Sequence, residues 1–152
     1  MMLVHELLTP SSTLCGLEGS SKKRILEKAS EIISEQNPDL EASCIFNGLH
    51  GREKLGSTGI GDGIAIPHCR LADCNDAKGY LIKLAQPIDF DAIDNKPVDL
   101  LFVLLVPEDA TSEHLQILAA IAELFSQESA RERLRSVEGN EALYQAICQL
   151  SS

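Results

Sequence analysis

The chain is predicted to fold as an α/β protein with helices on both faces of a strand layer, a three-layer α/β/α domain spanning residues 1–152. Three observations predict it. Apolar residues recur at helical spacing through the first third, strand-like runs fill the middle, and helical spacing returns in the last third. The apolar run from Val98 to Val106, closed by Pro107, reads as a central strand covered on both faces.

Taken in order, Leu3, Val4, Leu7 and Leu8 form an apolar patch that suits one helical turn packed on a core, and Thr13 to Leu17 suits a short first strand. Ser20 is an N-cap for a helix with Ile25, Leu26, Ala29, Ile32 and Ile33 on its inner side, ending before Asn37-Pro38. A second helix is expected from Asn37 as cap and Pro38 at the first helical position. Leu40, Cys44, Ile45 and Leu49 give it an inner face, and Gly51 ends it, so that Arg52 stands just past its end. Gly79 to Ala85 reads as a strand, and Ile88 to Asn95 as the connection to the central one. Thr111 caps the next helix, whose stripe is Leu115, Leu118, Ala119, Ala122 and Phe125, with Glu113 and His114 in its first turn. Gln127 to Ser136 is a short helix with a basic face, and Asn140 caps a final one buried through Leu143, Ile147 and Leu150.

Composition bounds the function. A chain of 152 residues with 44% hydrophobic content suits one domain with a real core. No apolar run approaches the roughly 20 residues of a membrane helix, and Met1 to Leu8 lacks the basic leader of a signal peptide, so no membrane insertion and a cytoplasmic location are expected. Five cysteines without paired spacing argue for reduced thiols rather than a disulfide framework. The formal charge of −10 argues against direct binding of nucleic acid and favours partners with basic surfaces.

The chemistry is concentrated between Arg52 and Leu71, in REKLGSTGIGDGIAIPHCRL. Four glycines (Gly56, Gly59, Gly61, Gly63) suit a loop whose N–H groups cradle an anion. Pro67 then stiffens the segment that presents His68. No lysine follows at the Walker spacing, and isoleucines at 64 and 66 break the dinucleotide fingerprint, so both nucleotide motifs are excluded. What remains is an imidazole nucleophile, with free lone pair near neutral pH, suited to relaying a phosphoryl group. Such a transfer asks mainly for positioning and for cations or N–H groups around the phosphoryl oxygens. Arg52 supplies the cation, and His114 at a helix start lies where the dipole favours an anion.

The run REKLGSTGIGDGIAIPH resembles the phosphorylation-site signature of enzyme IIA proteins of the fructose/mannitol class in the bacterial phosphotransferase system, and within it the stand-alone nitrogen-regulatory branch. The similarity extends to Ser21–Arg24, to PIDFDAIDNKPVDLLFVLLVP, to His114-Leu115 and to EALYQ, and so covers nearly the whole chain. It implies a small mixed sheet within the three layers, a phosphohistidine at His68, and Arg52 and His114 lining the site. It also implies an HPr-like carrier (NPr) upstream and sensor-kinase or transporter-type regulatory targets downstream, with no cofactor on the chain itself. A transport role, passing phosphate to a IIB cysteine, is the alternative within the class; the lack of fused IIB or IIC segments leans towards regulation. A binding module that is never phosphorylated is the alternative outside it.

Each residue also has a plainer reading. An isolated histidine after a strand is most simply structural, a reading that the glycines and the resemblance reverse for His68. His114 is either a site residue or half-exposed packing, and Arg52 a site cation or a surface arginine. Ser57 and Thr58 either donate to the phosphoryl group or cap the turn, while Gly59, Gly61 and Gly63 line it. His5 and His50 read as surface residues, Cys44 and Cys148 as core, and Arg131, Arg133 and Arg135 as a solvated face. Cys69 and Cys74 beside His68 are a weak metal signal, and no metal site is expected. Cys69 stands where the family usually carries a small residue, which leaves the relay chemistry intact and raises oxidation of Cys69 as a way to gate the site.

Overall fold

In the computed structural model, which describes residues 4–109 and 112–151, the apolar run becomes the spine of a mixed sheet. The strands are β1 (Thr13–Leu17), β2 (Gly59–Gly61), β3 (Ile64–Ala65), β4 (His68–Leu71), β5 (Lys78–Ile88) and β6 (Val98–Pro107). The helices are α1 (Lys22–Gln36), α2 (Ala42–Lys54), α3 (Ser112–Phe125), α4 (Glu128–Ser136) and α5 (Asn140–Leu150). Sheet order is β1-β5-β6-β3-β2, and β4 also pairs with β6, farther along it than β3. β5 runs antiparallel to β6, whereas β3 and β4 run parallel to it.

Alternation along β6 builds two cores. Leu101, Val103 and Leu105 join Ile25, Leu26, Ile33, Ile45 and Leu49 beneath α1 and α2. Leu100, Phe102, Leu104 and Val106 join Ile117, Ile121, Phe125, Leu134, Leu143 and Ile147 beneath α3, α4 and α5. Side chains of a strand point alternately to opposite faces, so one run of large apolar residues seals both layers. The expected three-layer α/β/α arrangement is the observed one.

Several local expectations change. The cap of α1 is Ser21, whose hydroxyl accepts from the Arg24 N–H, rather than Ser20. Asn37 does not start α2; its backbone and side-chain N–H groups both donate to the Ile33 carbonyl and close α1. Residues 38–40 then turn, and α2 begins at Ala42. It runs through Gly51 to Lys54, so Arg52 lies in its last turn and not beyond it. Cys44 is exposed rather than core. β5 extends past Pro87, which is accommodated because β1 pairs no farther than Leu84 and the β5–β6 register breaks between Lys83 and Ile88. Gly139, not Asn140, precedes α5 as its cap, and the Asn140 side chain instead accepts from the Cys15 N–H at 2.7 Å.

The basic face of α4 is solvated only at Arg133, while Arg131 and Arg135 are half-buried. Arg135 pairs with Asp99 and donates to the Asp62 carbonyl, Arg131 donates to the Phe125 carbonyl, and Arg133 meets Gln149. His5 bonds Ser151 and is half-buried, and His50 stacks on Phe46. Val4–Leu7 forms a 3-10 turn with Val4, Leu7 and Leu8 buried. The expected roles of Leu3 and of the Thr111 cap lie outside the described residues.

The stripe on α3 is rotated. Ile117, Ile121, Leu124 and Phe125 are buried, while Leu115 is 64% exposed and Ala119 is exposed too. This helix carries apolar residues nearly all round, so periodicity alone did not select the face that meets β6.

Candidate active site

The glycine-rich stretch folds as a hairpin, β2–β3, rather than as an open loop. Gly59 sits so close to Ala92 that a Cβ there would lie 2.8 Å from the Ala92 Cβ. Gly63 takes a left-handed φ of 81° and lets its carbonyl accept from both the Asp99 and Leu100 N–H groups, which joins the hairpin to β6. At its tip Asp94 accepts N–H bonds from Asp62 and Lys96, and these two bonds hold its carboxyl below the usual carboxylate range.

Past the hairpin the chain continues along β6 but cannot form an unbroken strand, because Pro67 has no N–H to donate. The Pro67 carbonyl accepts from the Leu104 N–H at 2.9 Å, and β4 resumes with His68 opposite Leu104. At this break the His68 Nδ1 lies 2.7 Å from the Ile66 carbonyl oxygen. A carbonyl can only accept, so Nδ1 carries the proton and the lone pair of the neutral ring is left on Nε2.

His68 is half-exposed in a cavity of about 430 Å³ between the last turns of α2 and the first turns of α3. Its described lining includes Arg52 and Leu55 from α2, His68 and Arg70 from β4, Leu104 and Val106 from β6, and His114, Leu115 and Leu118 from α3. The structure therefore brings His68, Arg52 and His114 together across three elements. Arg52 donates from Nη1 to the Gly56 carbonyl at 2.9 Å, which ties its guanidinium to the entry of the hairpin.

Ser57, Thr58, Gly59, Gly61 and Gly63 are not among the residues lining this cavity. Their groups are engaged elsewhere: Ser57 donates to the Phe90 carbonyl and accepts from the Gly59 N–H, and Thr58 gives both its N–H and its hydroxyl to Glu53. Glu53 is buried and ion-paired at 2.7 Å with Lys22, whose ammonium also sits 4.8 Å from the centre of the Phe90 ring. This network fixes the last turn of α2 against the hairpin and so positions Arg52.

Two participants escaped the sequence reading. Glu53 had only its place beside Arg52 to mark it. Arg70 was marked by standing two residues after His68 in an extended segment, which puts both on one strand face. Burial and the neighbouring Cys74 push the Cys69 thiol up to about 12, so it is a protonated wall residue at neutral pH. Among the described residues no group of three or more His, Cys, Asp or Glu side chains is arranged to hold a metal, and no helix is long and apolar enough to cross a membrane.

The profile of the family described as "Phosphoenolpyruvate-dependent sugar phosphotransferase system, EIIA 2" matches residues 6–149. The chain belongs to this family and is a IIA component of the phosphotransferase system, a phosphoryl-relay domain. Its similarity within the family is to the nitrogen-regulatory branch. It is 48% identical to the nitrogen regulatory protein of Pseudomonas aeruginosa over 152 residues, covering 100% of this chain and 99% of that one. With the nitrogen regulatory protein of Escherichia coli K12 it shares 49% identity over 145 residues, 95% of this chain and 88% of the other. The crystal structure of the nitrogen regulatory protein IIA-Ntr from Neisseria meningitidis superposes with a TM-score of 0.87 at 44% identity, covering 95% of this chain and 98% of that one.

Proposed function

We propose that His68 is the phosphoryl acceptor of a nitrogen-regulatory relay, taking its group from an HPr-like carrier of the NPr type and altering the binding of regulatory targets, of sensor-kinase or transporter type, according to its phosphorylation state. The observation that carries this reading is the Nδ1 bond to the Ile66 carbonyl, which leaves the lone pair on Nε2 of a ring that lines one cavity with Arg52 and His114. Nε2 attacks phosphorus in line, the P–N bond of the carrier breaks, and its electron pair returns to the carrier's imidazole. If that ring is protonated on its other nitrogen it leaves neutral, and His68 becomes an Nε2-phosphoryl imidazolium whose Nδ1–H stays on Ile66.

The charge spread over the phosphoryl oxygens in a loose transition state is met by Arg52 and by His114 in the first turn of α3, where the helix dipole favours an anion. Leu55 and Leu115, 84% and 64% exposed, flank the cavity and supply an apolar docking rim for the carrier. The hairpin glycines act as scaffold for the break at Pro67. The relay needs no bound cofactor and works in the cytoplasm, with phosphoenolpyruvate entering upstream.

Intact-mass measurement with phosphoenolpyruvate, enzyme I and an HPr-type carrier tests the reading. A gain of one phosphoryl group is expected for the wild type and none for His68→Ala; equal labelling of that variant, or no labelling of the wild type, refutes it. A second incubation with IIB domains distinguishes regulation from sugar transport, since rapid loss of label to a IIB thiol favours transport.

A further inference from the structure

Strand alternation places Arg70 on the same face of β4 as His68, while Cys69 and Leu71 turn into the core under α1 and α2. The register agrees: His68 lies opposite Leu104 and Arg70 opposite Val106, both of them members of the α3-side core. Arg70 and His68 line one cavity, and none of the described residues lining it is acidic.

The partners of the arginines separate Arg70 from the rest. Arg24 meets Glu27, Arg52 the Gly56 carbonyl, Arg131 the Phe125 carbonyl, Arg133 Gln149 and Arg135 Asp99. Arg70 is exposed and, among the described residues, is the arginine that makes no hydrogen bond or ion pair. In a chain of net charge −10, an unpaired guanidinium beside the nucleophile has no intramolecular bond to give up when an anion arrives.

We propose that Arg70 is a second phosphoryl-binding cation, acting from β4 while Arg52 acts from α2, so that the group on His68 is held between two guanidinium forks. This rests on the assignment of His68 as acceptor. Residues two apart on a strand are separated by about 6.6 Å, a span that the long arginine stem crosses to reach a phosphorus attached to the histidine ring. Arg70 meets the dianion and the charge that develops on the equatorial oxygens. The bonds made and broken are those at Nε2, and Arg70 exchanges no proton with either ring.

Phosphoramidate, a small donor with no docking surface, isolates this role. His68 Nε2 attacks its phosphorus, the P–N bond breaks, and the protonated nitrogen leaves as ammonia. Labelling of wild type, Arg70→Gln and Arg70→Lys is followed by intact mass, alongside labelling from an HPr-type carrier. Arg70→Gln is expected to slow labelling from both donors about tenfold, with Arg70→Lys in between and thermal unfolding unchanged for both, because the side chain is exposed. In ³¹P NMR of the phosphorylated protein, Arg70→Gln should raise the pH at which the phosphoryl resonance titrates, since a neighbouring cation favours the dianion. Wild-type rates for Arg70→Gln with phosphoramidate overturn the proposal, including the case in which only the carrier-dependent rate falls, because that outcome makes Arg70 a docking charge. Absence of label on wild type, or its appearance on a residue other than His68, instead overturns the assignment of the acceptor.

Discussion

Glu53→Gln is the most informative change outside the cavity. The Glu53 carboxylate lies 2.7 Å from the Lys22 ammonium, and the two side chains are 2% and 17% exposed. It also accepts the Thr58 N–H and hydroxyl. Removing one partner of a buried pair costs about 3–5 kcal/mol when the remaining charge is stranded. Here Lys22 keeps a weak bond to the Phe90 carbonyl at 3.4 Å and the face of the Phe90 ring, and glutamine preserves shape and one acceptor. The expected loss is therefore about 2–4 kcal/mol, or a fall in Tm of about 5–15 °C for a chain of this size. Urea unfolding of wild type, Glu53→Gln, Lys22→Met and the double variant measures it, and the cycle should return a coupling of at least about 1 kcal/mol. Since Glu53 anchors the turn that carries Arg52, the rate of labelling at His68 should fall as well. A stability change below about 0.5 kcal/mol, the range of ordinary surface substitutions, refutes the claim that this network fixes α2 to the hairpin.

Two further outcomes follow from the same geometry. The Cys69 thiol is raised from 9.0 to about 12 by burial and by Cys74, so between those pH values the unfolded chain loses a proton that the native chain retains. Stability contributed by Cys69 is then complete below about pH 9 and falls by about 1.4 kcal/mol per pH unit until the native thiol ionises, a slope that Cys69→Ala should remove from pH-dependent urea unfolding. Gly63→Ala forces a side chain onto a φ of 81° and puts its Cβ 2.8 Å from Asp99 Oδ1 and against the Arg135 guanidinium, so it should cost about 2–3 kcal/mol in the same assay.

What could be read from the sequence depended on how many residues carried each signal. β6 was unmistakable because its apolar run had no competing period, and that one strand implied two covering layers. The break in the chain that presents His68 was legible because proline and glycine mark backbone geometry. One error arose where a residue type serves two ends: asparagine closes helices as readily as it opens them, so Asn37 was assigned to α2 although it closes α1, whereas Asn140 does open α5 but stands one position inside its Gly139 cap. Gly51 was tolerated inside α2 because Ile45, Leu49 and Glu53 anchor the helix around it. Glycine density suggested an anion cradle, yet the N–H groups of Thr58, Gly59 and Asp62 are already engaged by Glu53, Ser57 and Asp94. Ser57 is a local partner, but Glu53 comes from α2 and Asp94 from the connection before β6, and no local pattern reveals that part of the competition.

The rotated face of α3 then becomes a functional statement. Leu115 and Leu118 lie on the stripe that periodicity assigned to the core, but the helix buries Ile117, Ile121 and Leu124 instead and leaves the first two at the cavity. An apolar residue left 64% exposed beside a nucleophile loses its transfer free energy to water, of the order of 1 kcal/mol. Leu55, at 84% exposed on the opposite wall, carries the same cost from the end of α2. Both helices hold an apolar residue in water at the two sides of one histidine while Leu104 and Val106 of β6 form the floor, and that cost is recovered only when a second surface covers the cavity. With His68 proposed as the acceptor, such a surface is needed twice, to receive the group and to deliver it, and the exposed leucines then belong with the Arg52, His68 and His114 that line the same cavity.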